Sequence, residues 1–567
     1  MIRWSELKKI PSRRRAGAGR ARTVGTVLVL AALAFSLGFV GGNQDEMLLK
    51  IYRGIDVFGK VYKEVSFNYV DSIDPDAFIQ AGIDGMLETL DPYTVFIGEH
   101  EGDEIDLVTN GKYGGIGVTI SIRDGQIIIV GLMEGFSAAR QGLQVGDRIL
   151  DIDSTEITSE NFQLVRSLVR GAPGTEIRVR IQREEEPEPL EFILLREEIT
   201  VKNVSYAGFV EDGVGYIRLD RFSRTAGDDL RNAIRSLKAS GALKGVILDV
   251  RDNPGGLLDM AVDVVSKFVP EKSLVVSTRG RSPDSERKYY SSETPMLPDV
   301  PMAVLVNEGS ASASEIVAGA IQDLDRGVIV GNRTFGKGLV QTITRLSETT
   351  SLKITTARYY TPSDRCIQIL DYAHHNQDGS PVRVTDTLRE EYRTSKNRIV
   401  YGGGGILPDS VVSENPRSKL LETLNRTAMM FSFANRYAVR EKTLPDDFVV
   451  TDALLKEFKQ YLAEKNFAYE EEAESRIAEL TQFASRDRYS KEFFDELAHL
   501  QTHIDEEKDR AFERFEAEIR EALDVEIRGR LLGESSRIEA AFAGDRQLQS
   551  ALGILTNPRV YGAMLAP

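Results

Sequence analysis

Cysteine is nearly absent: Cys366 is the one thiol in 567 residues, which excludes an intramolecular disulfide and any cysteine-clustered metal site. Histidine is scarce as well, with His100, His374, His375, His499 and His503 the whole supply. His499 and His503 fall in a charged helical stretch and His100 stands apart. His374-His375 sits in a polar loop among Tyr, Asn, Gln and Asp, so a Ser-His-Asp triad has little to build on. Positive charge is missing from most of the chain. The net charge of -16 divides into +7 for residues 1–22, where eight Lys/Arg face only Glu6, and -23 for the rest. An acidic body is repelled by phosphate backbones, and nucleic acid is not an expected partner. Glycine at 48 and proline at 19 residues show no excess, which removes collagen-like and wholly disordered classes.

Long uncharged runs are lacking too, with one exception. Thr23 to Val40, extended by Gly41 and Gly42, is long enough as a helix to cross a bilayer. Basic residues precede it and Asp45 and Glu46 follow, so the positive-inside rule places residues 1–22 in the cytoplasm and the rest outside. The rival, a cleaved signal peptide, needs a small-x-small site after a shorter apolar core, and the FVGGNQ exit is a poor one. The expectation is a single-pass anchor in a bacterial inner membrane, with the bulk of the chain periplasmic.

Beyond the anchor the hydrophobic period changes along the chain. Residues 45–100 show apolar positions at helical spacing, closing at Leu90-Asp-Pro-Tyr, where proline forbids helix continuation. From Lys112 the period drops to two: alternating Ile116, Val118 and Ile120, then a turn at Asp124-Gly125 and a second strand Ile127 to Val130. A helix opening at Ser159 and running to Arg170 follows, and then the strands Ile177 to Gln182 and Leu190 to Leu195. With Gly114-Gly115-Ile116-Gly117 ahead of a strand and GLQVGDRILDID in the middle, residues 102–197 resemble a PDZ domain. In that reading the amides of Gly114, Gly115, Ile116 and Gly117 form a nest for a chain-terminal carboxylate. The strand from Ile116 pairs with the incoming peptide, and Phe162, Val165 and Leu168 or Val169 wall the groove. The competing reading is a module that only braces the fold.

Residues 198–412 alternate strands and helices, and continuous apolar strands such as GVILDV and MAVLVN indicate an α/β sheet covered on both faces. Past Pro416 the composition turns Glu-, Lys- and Arg-rich with apolar residues at helical steps, a helical domain over 413–567. The architecture expected is thus multidomain α/β: anchor 23–42, helical unit 45–100, PDZ domain, α/β core and helical C-terminal domain. The apolar faces of the two helical parts make self-association plausible.

Chemistry concentrates in three strand-breaking stretches of the α/β region. In Asn307-Glu-Gly-Ser-Ala-Ser-Ala-Ser-Glu315 a strand passes straight into a helix, which puts a serine hydroxyl at a helix N-terminus where free N–H groups favour an oxyanion. Ser310, Ser312 and Ser314 are all candidates, and all three could instead be N-caps. With a histidine base poorly supported, lysine is the remaining base, provided burial lowers its pKa. Lys337 lies between Gly336 and Gly338, where the backbone can approach its neighbours closely. No Walker pattern surrounds it.

The blocks LDVRDNPGGLL, NEGSASASEIVAGAIQD, GNRTFGKGLVQ, ARYYTPSDRCIQ and GGGGILPD, in this order, resemble those of the C-terminal processing peptidases, or tail-specific proteases, PDZ-containing serine proteases of the S41 type. The resemblance covers about residues 50–412. It implies a serine endopeptidase that recognises protein C-termini, with Ser312 as nucleophile, Lys337 as base and Gln341 as the residue that orients the lysine. It implies an oxyanion hole from the amides of Ala313 and Gly256, and no metal or organic cofactor. Asp364 departs from the pattern, standing where glycine is more usual. Arg196, in LLREEI at the end of the last PDZ-like strand, is the candidate for coupling tail binding to the active site. The alternative function is a tail-binding scaffold of the same fold with weak or no catalysis.

Overall fold

The computed structural model describes residues 46–98, 107, 109–123, 125–133, 135–183, 186–376, 378, 380–383, 389–413, 418–445 and 447–567. The basic segment, the apolar stretch 23–42 and His100 lie outside the described residues. Among the described residues no helix is long and apolar enough to cross a membrane.

Two units separate at Thr89. The first is a helical hairpin of residues 46–68 and Pro75–Leu87. Asp74 caps the second helix by accepting from the Asp76 N–H, and Pro75 occupies its first turn, where no donor is lost. Tyr62 stacks on Phe78 at 5.7 Å and closes the pair. The helical unit expected to reach residue 100 stops earlier. From Leu90 the chain belongs to the second unit, and Val95–Ile97 is a strand paired with Ser351–Lys353.

Within the second unit the PDZ region forms a sheet in the order Val118–Arg123, Gln126–Leu132, Arg148–Ile152, Glu176–Gln182, Leu190–Leu195. Val118–Arg123 is an edge strand. The helix opens later than its sequence suggests: a 3₁₀ turn occupies Ser159–Asn161 and the α-helix runs Phe162–Val169.

The α/β region is built on a six-stranded sheet ordered Val204–Glu211, Val214–Leu219, Gly245–Asp249, Met302–Val306, Val328–Gly331, Ser410–Val411. All pairs but the first are parallel. Side chains alternate across it. Val246, Leu248, Met302, Val304 and Val306 face the helices Ala226–Ser240, Leu258–Ser266 and Ala313–Asp323. Ile247, Ala303, Leu305, Val328 and Val330 face the other way, onto Ile538, Leu548, Leu552 and Leu555. The second face is therefore closed by the far end of the helical region, where the sequence suggested only a separate domain. Two strands expected in this sheet, Leu274–Gly280 and Ser351–Tyr360, form a distinct antiparallel sheet with Leu339–Arg345 on one flank.

Residues 419–532 pack around their own core, which includes Leu424, Phe433, Phe458, Ile519 and Leu523. This body touches the PDZ region, where Arg123 donates to the Asn425 carbonyl at 3.2 Å. Asp364 adopts φ 72°, a left-handed conformation that accounts for the expectation of glycine there. Its carboxylate pairs with Arg279, a contact glycine could not make.

Candidate active site

The strand Met302–Val306 ends in a turn that delivers Ser312 to the start of the helix Ala313–Asp323. Small residues are needed because three backbones meet there. Gly255, at φ 101°, comes so close that a Cβ on it would lie 2.9 Å from both the Ser312 Cβ and the Ala313 N. The loop is clamped from below by Asn253, whose carbonyl accepts from the Ala311 N–H at 3.0 Å and whose Nδ2 donates to the Leu219 carbonyl at 2.7 Å.

Hydrogen bonding separates the three serines. Ser310 is fully buried and donates to the Val250 carbonyl at 2.7 Å; Ser314, also fully buried, donates to the Asn253 carbonyl at 2.8 Å. Both hydroxyls hold loops together. Ser312 is half-buried, and its backbone sits at φ 56°, ψ -110°, a conformation rare for any residue with a Cβ. This matches the strained strand-to-helix turn on which hydrolase nucleophiles are presented.

Lys337 arrives on the loop after Val328–Gly331. Gly336, at φ 88°, has Ile369 where a Cβ would go. The two loops share one anchor, Glu315, which is completely buried in the first turn of the serine-bearing helix. Its Oε2 accepts the Ser312 N–H and the Lys337 N–H, both at 2.9 Å. Its Oε1 accepts the Gly336 N–H at 2.7 Å and the Thr334 hydroxyl at 2.6 Å. Sequence reading passed over Glu315, since a glutamate three residues past a helix cap usually only closes a capping box. Burial pushes its carboxyl up to about 7, against the pull of its four donors. The Lys337 amine moves the other way, down to about 8, chiefly through burial and then through the charge of Lys353. Its Nζ lies 4.1 Å over the ring of Tyr93, and among the described residues it makes no hydrogen bond to Ser312.

Gln341 stands on the strand Leu339–Arg345 and donates to the Thr355 hydroxyl at 3.1 Å, not to Lys337. Thr355 in turn donates to Asp91 at 3.2 Å. No hydrogen bond to another described residue uses the amide of Ala313 or Gly256, so two donors stand free beside Ser312. The four histidines that are described stay out of the site; His374 is exposed and pairs with Asp371 at 2.8 Å. No metal-binding cluster occurs among the described residues.

Behind the glycine loop, Arg251 bridges Asp249 at 2.6 Å and Asp545 at 2.6 Å. The helix starting at Arg546 is thereby tied to the strand that carries Asn253 to Gly256.

In the PDZ region Gly114 and Gly115 are engaged in a two-stranded ladder with Glu197–Thr200, leaving Ile116 and Gly117 to lead into the free edge strand. Phe162 and Leu168 are half-buried, whereas Val165 is fully buried in the PDZ core and lines its interior. Among the described residues Arg196 has no hydrogen-bond partner across the junction. It donates to the Leu168 carbonyl at 2.6 Å, the Glu176 carbonyl at 2.9 Å and the Thr175 hydroxyl at 3.0 Å, all within the PDZ region.

Comparison with known proteins gives three family matches along the chain: a PDZ domain over residues 128–183, peptidase family S41 over 213–371, and the C-terminal helical domain of a probable PDZ-protease over 420–555. The carboxy-terminal-processing protease of Bartonella bacilliformis is 38% identical over 348 residues, which is 61% of this chain and 79% of that one. The chain belongs to the carboxy-terminal processing proteases. Two further carboxy-terminal processing proteases show how far the likeness extends. That of Synechocystis sp. is 36% identical over 51% of this chain and 68% of its own length. CtpA of Bacillus subtilis is 30% identical over 59% of this chain and 72% of its own. As a member of peptidase family S41 the protein is a serine peptidase, and the serine loop described above falls inside the S41 match.

Proposed function

We propose that the protein is an endopeptidase that captures protein C-terminal tails on the Val118–Arg123 edge of its PDZ domain and cleaves upstream of them with Ser312 and Lys337. The observation that carries this reading is the single buried carboxylate oxygen of Glu315, which holds the Ser312 and Lys337 backbones at 2.9 Å each. Ser312 Oγ attacks the scissile carbonyl carbon while Lys337 Nζ takes its proton. The amides of Gly256 and Ala313 receive the oxyanion. As the C–N bond breaks, Lys337 returns the proton to the leaving amine; water then repeats the sequence on the acyl-enzyme. Lysine serves as the base because its amine, at about 8, is partly neutral near neutral pH. Gln341 orients the lysine once it releases Thr355.

The same proposal places residues 23–42 as an uncleaved membrane anchor with the catalytic portion periplasmic. The exposed apolar side chains of the first helix, among them Leu48, Ile51 and Ile55, suit self-association.

The test is mass spectrometry of the products formed from a protein with an apolar C-terminal tail. Wild type should release internal fragments. Ser312→Ala and Lys337→Ala should each lose at least about a thousandfold in rate, and the double variant should lose no more than either alone, because the pair acts as a unit. Near-wild-type turnover by Ser312→Ala would discard the assignment.

A further inference from the structure

The segment Asp91-Pro92-Tyr93-Thr94 lies more than two hundred residues upstream of the serine and lysine loops, yet it reaches the base. Lys337 Nζ sits 4.1 Å from the centroid of the Tyr93 ring, within the range of a cation–π contact. The nearby carboxylates are engaged elsewhere. Glu315 is filled by four donors. Asp91 accepts from the Tyr93 and Thr94 amides, the Thr94 hydroxyl and the Thr355 hydroxyl. Lys353, on the strand Ser351–Tyr360, adds only repulsion. The ring is thus the contact that fixes where the amine rests.

The ring is itself held firmly. Its backbone is tied by Asp91, the next residue's hydroxyl accepts the Thr355 N–H at 3.1 Å, and Val95 pairs with Lys353. Its edge meets Tyr372 at 6.2 Å in a T-shaped contact. Burial and the Tyr372 hydroxyl push the Tyr93 phenol well above its ordinary range, so a neutral ring, not a phenolate, faces the lysine.

We propose that Tyr93 is a positioning residue for the base, the face of its ring seating the ε-amino group of Lys337. This rests on the reading of Lys337 as the base. A π face attracts ammonium more strongly than amine, which keeps a weaker N–H···π contact on the same face. The seat therefore holds Lys337 in one place at the cost of raising its pKa, alongside the charges of Glu315 and Asp91 and in opposition to burial and Lys353.

The experiment is the pH dependence of kcat/KM and kcat for the full-length chain in detergent with a tailed peptide substrate. Tyr93→Phe keeps the ring face; Tyr93→Leu and Tyr93→Met keep apolar bulk without it. The expected result is a wild-type acid limb for Tyr93→Phe. The ring-less variants should show a limb displaced to lower pH by about half a unit or more, with a plateau kcat about tenfold lower and KM unchanged. Tyr93→Met is the fallback if Tyr93→Leu does not fold. A wild-type limb and plateau in a folded ring-less variant would show that the ring only fills space and would overturn the proposal. So would Tyr93→Phe behaving like Tyr93→Leu, since the hydroxyl and its Tyr372 contact would then be what matters. Lys337→Ala in the same assay separates the two levels. If it stays active, the Ser-Lys reading itself fails; if it is dead while Tyr93→Leu is normal, only the seat fails.

Discussion

Ser312 holds a backbone conformation that glycine adopts freely and serine does not, with φ 56° and ψ -110°. Replacing it separates strain from chemistry. Ser312→Gly and Ser312→Ala should both be inactive, but the glycine variant should unfold at higher denaturant, by about 1 kcal/mol, because only it relieves the strain. Equal midpoints would mean that the turn stores no strain. The two titrations flanking the serine also make a distinct profile. Glu315 must lose its proton near 7 to accept four donors, and Lys337 must lose its proton near 8 to act as a base. The logarithm of kcat/KM should rise with a slope of about two below pH 7 and about one from 7 to 8, then level off. A slope of one throughout would remove Glu315 from the acid limb. Lys353→Gln should move the upper step to higher pH, since it deletes a repulsion that lowers the Lys337 amine. A limb unchanged in Lys353→Gln would leave burial as the whole cause.

Among the elements, the short helix Phe162–Val169 depends on an arginine from the link between the strands Leu190–Leu195 and Glu197–Thr200. Arg196 caps its end through the Leu168 carbonyl while also binding Glu176 and Thr175. Arg196→Ala should therefore lower tail affinity and PDZ stability together, by about 1–2 kcal/mol in stability, read by peptide titration and urea unfolding. Lost cleavage with intact tail binding would instead assign Arg196 to communication between domains. This element also shows what the sequence made legible. Apolar alternation and glycine turns are local signals, and they placed the PDZ strands, the core helices and the Ser312 and Lys337 loops within a few residues. Which serine is free was not local: it depends on carbonyls of Val250 and Asn253, about sixty residues away. Tyr93 and Glu315 escaped for the same reason, since an aromatic after a proline and a glutamate in a first turn each have a commoner local use. Gln341 was placed by family likeness, and its Thr355 partner comes from the neighbouring strand.

For the whole molecule the decisive feature is the closing of the catalytic sheet by the helices Glu534–Ala540 and Arg546–Leu555. Ending the chain at Leu532 would expose Ile247, Ala303, Leu305, Val328 and Val330 and leave Arg251 without Asp545. Such a chain should be insoluble or lack a cooperative unfolding transition, although Ser312, Lys337 and Glu315 are all retained. A soluble, active chain ending at Leu532 would contradict the packing. The same arrangement sets a clock on biosynthesis. Lys337 leaves the ribosome about two hundred residues before Leu548 and Leu552 do, a lag on the order of ten seconds or more at ordinary elongation rates. During that interval the sheet has one bare face and the glycine loop lacks its brace, so a nascent chain that already holds Ser312 and Lys337 should be unable to cut its neighbours until its last helices dock.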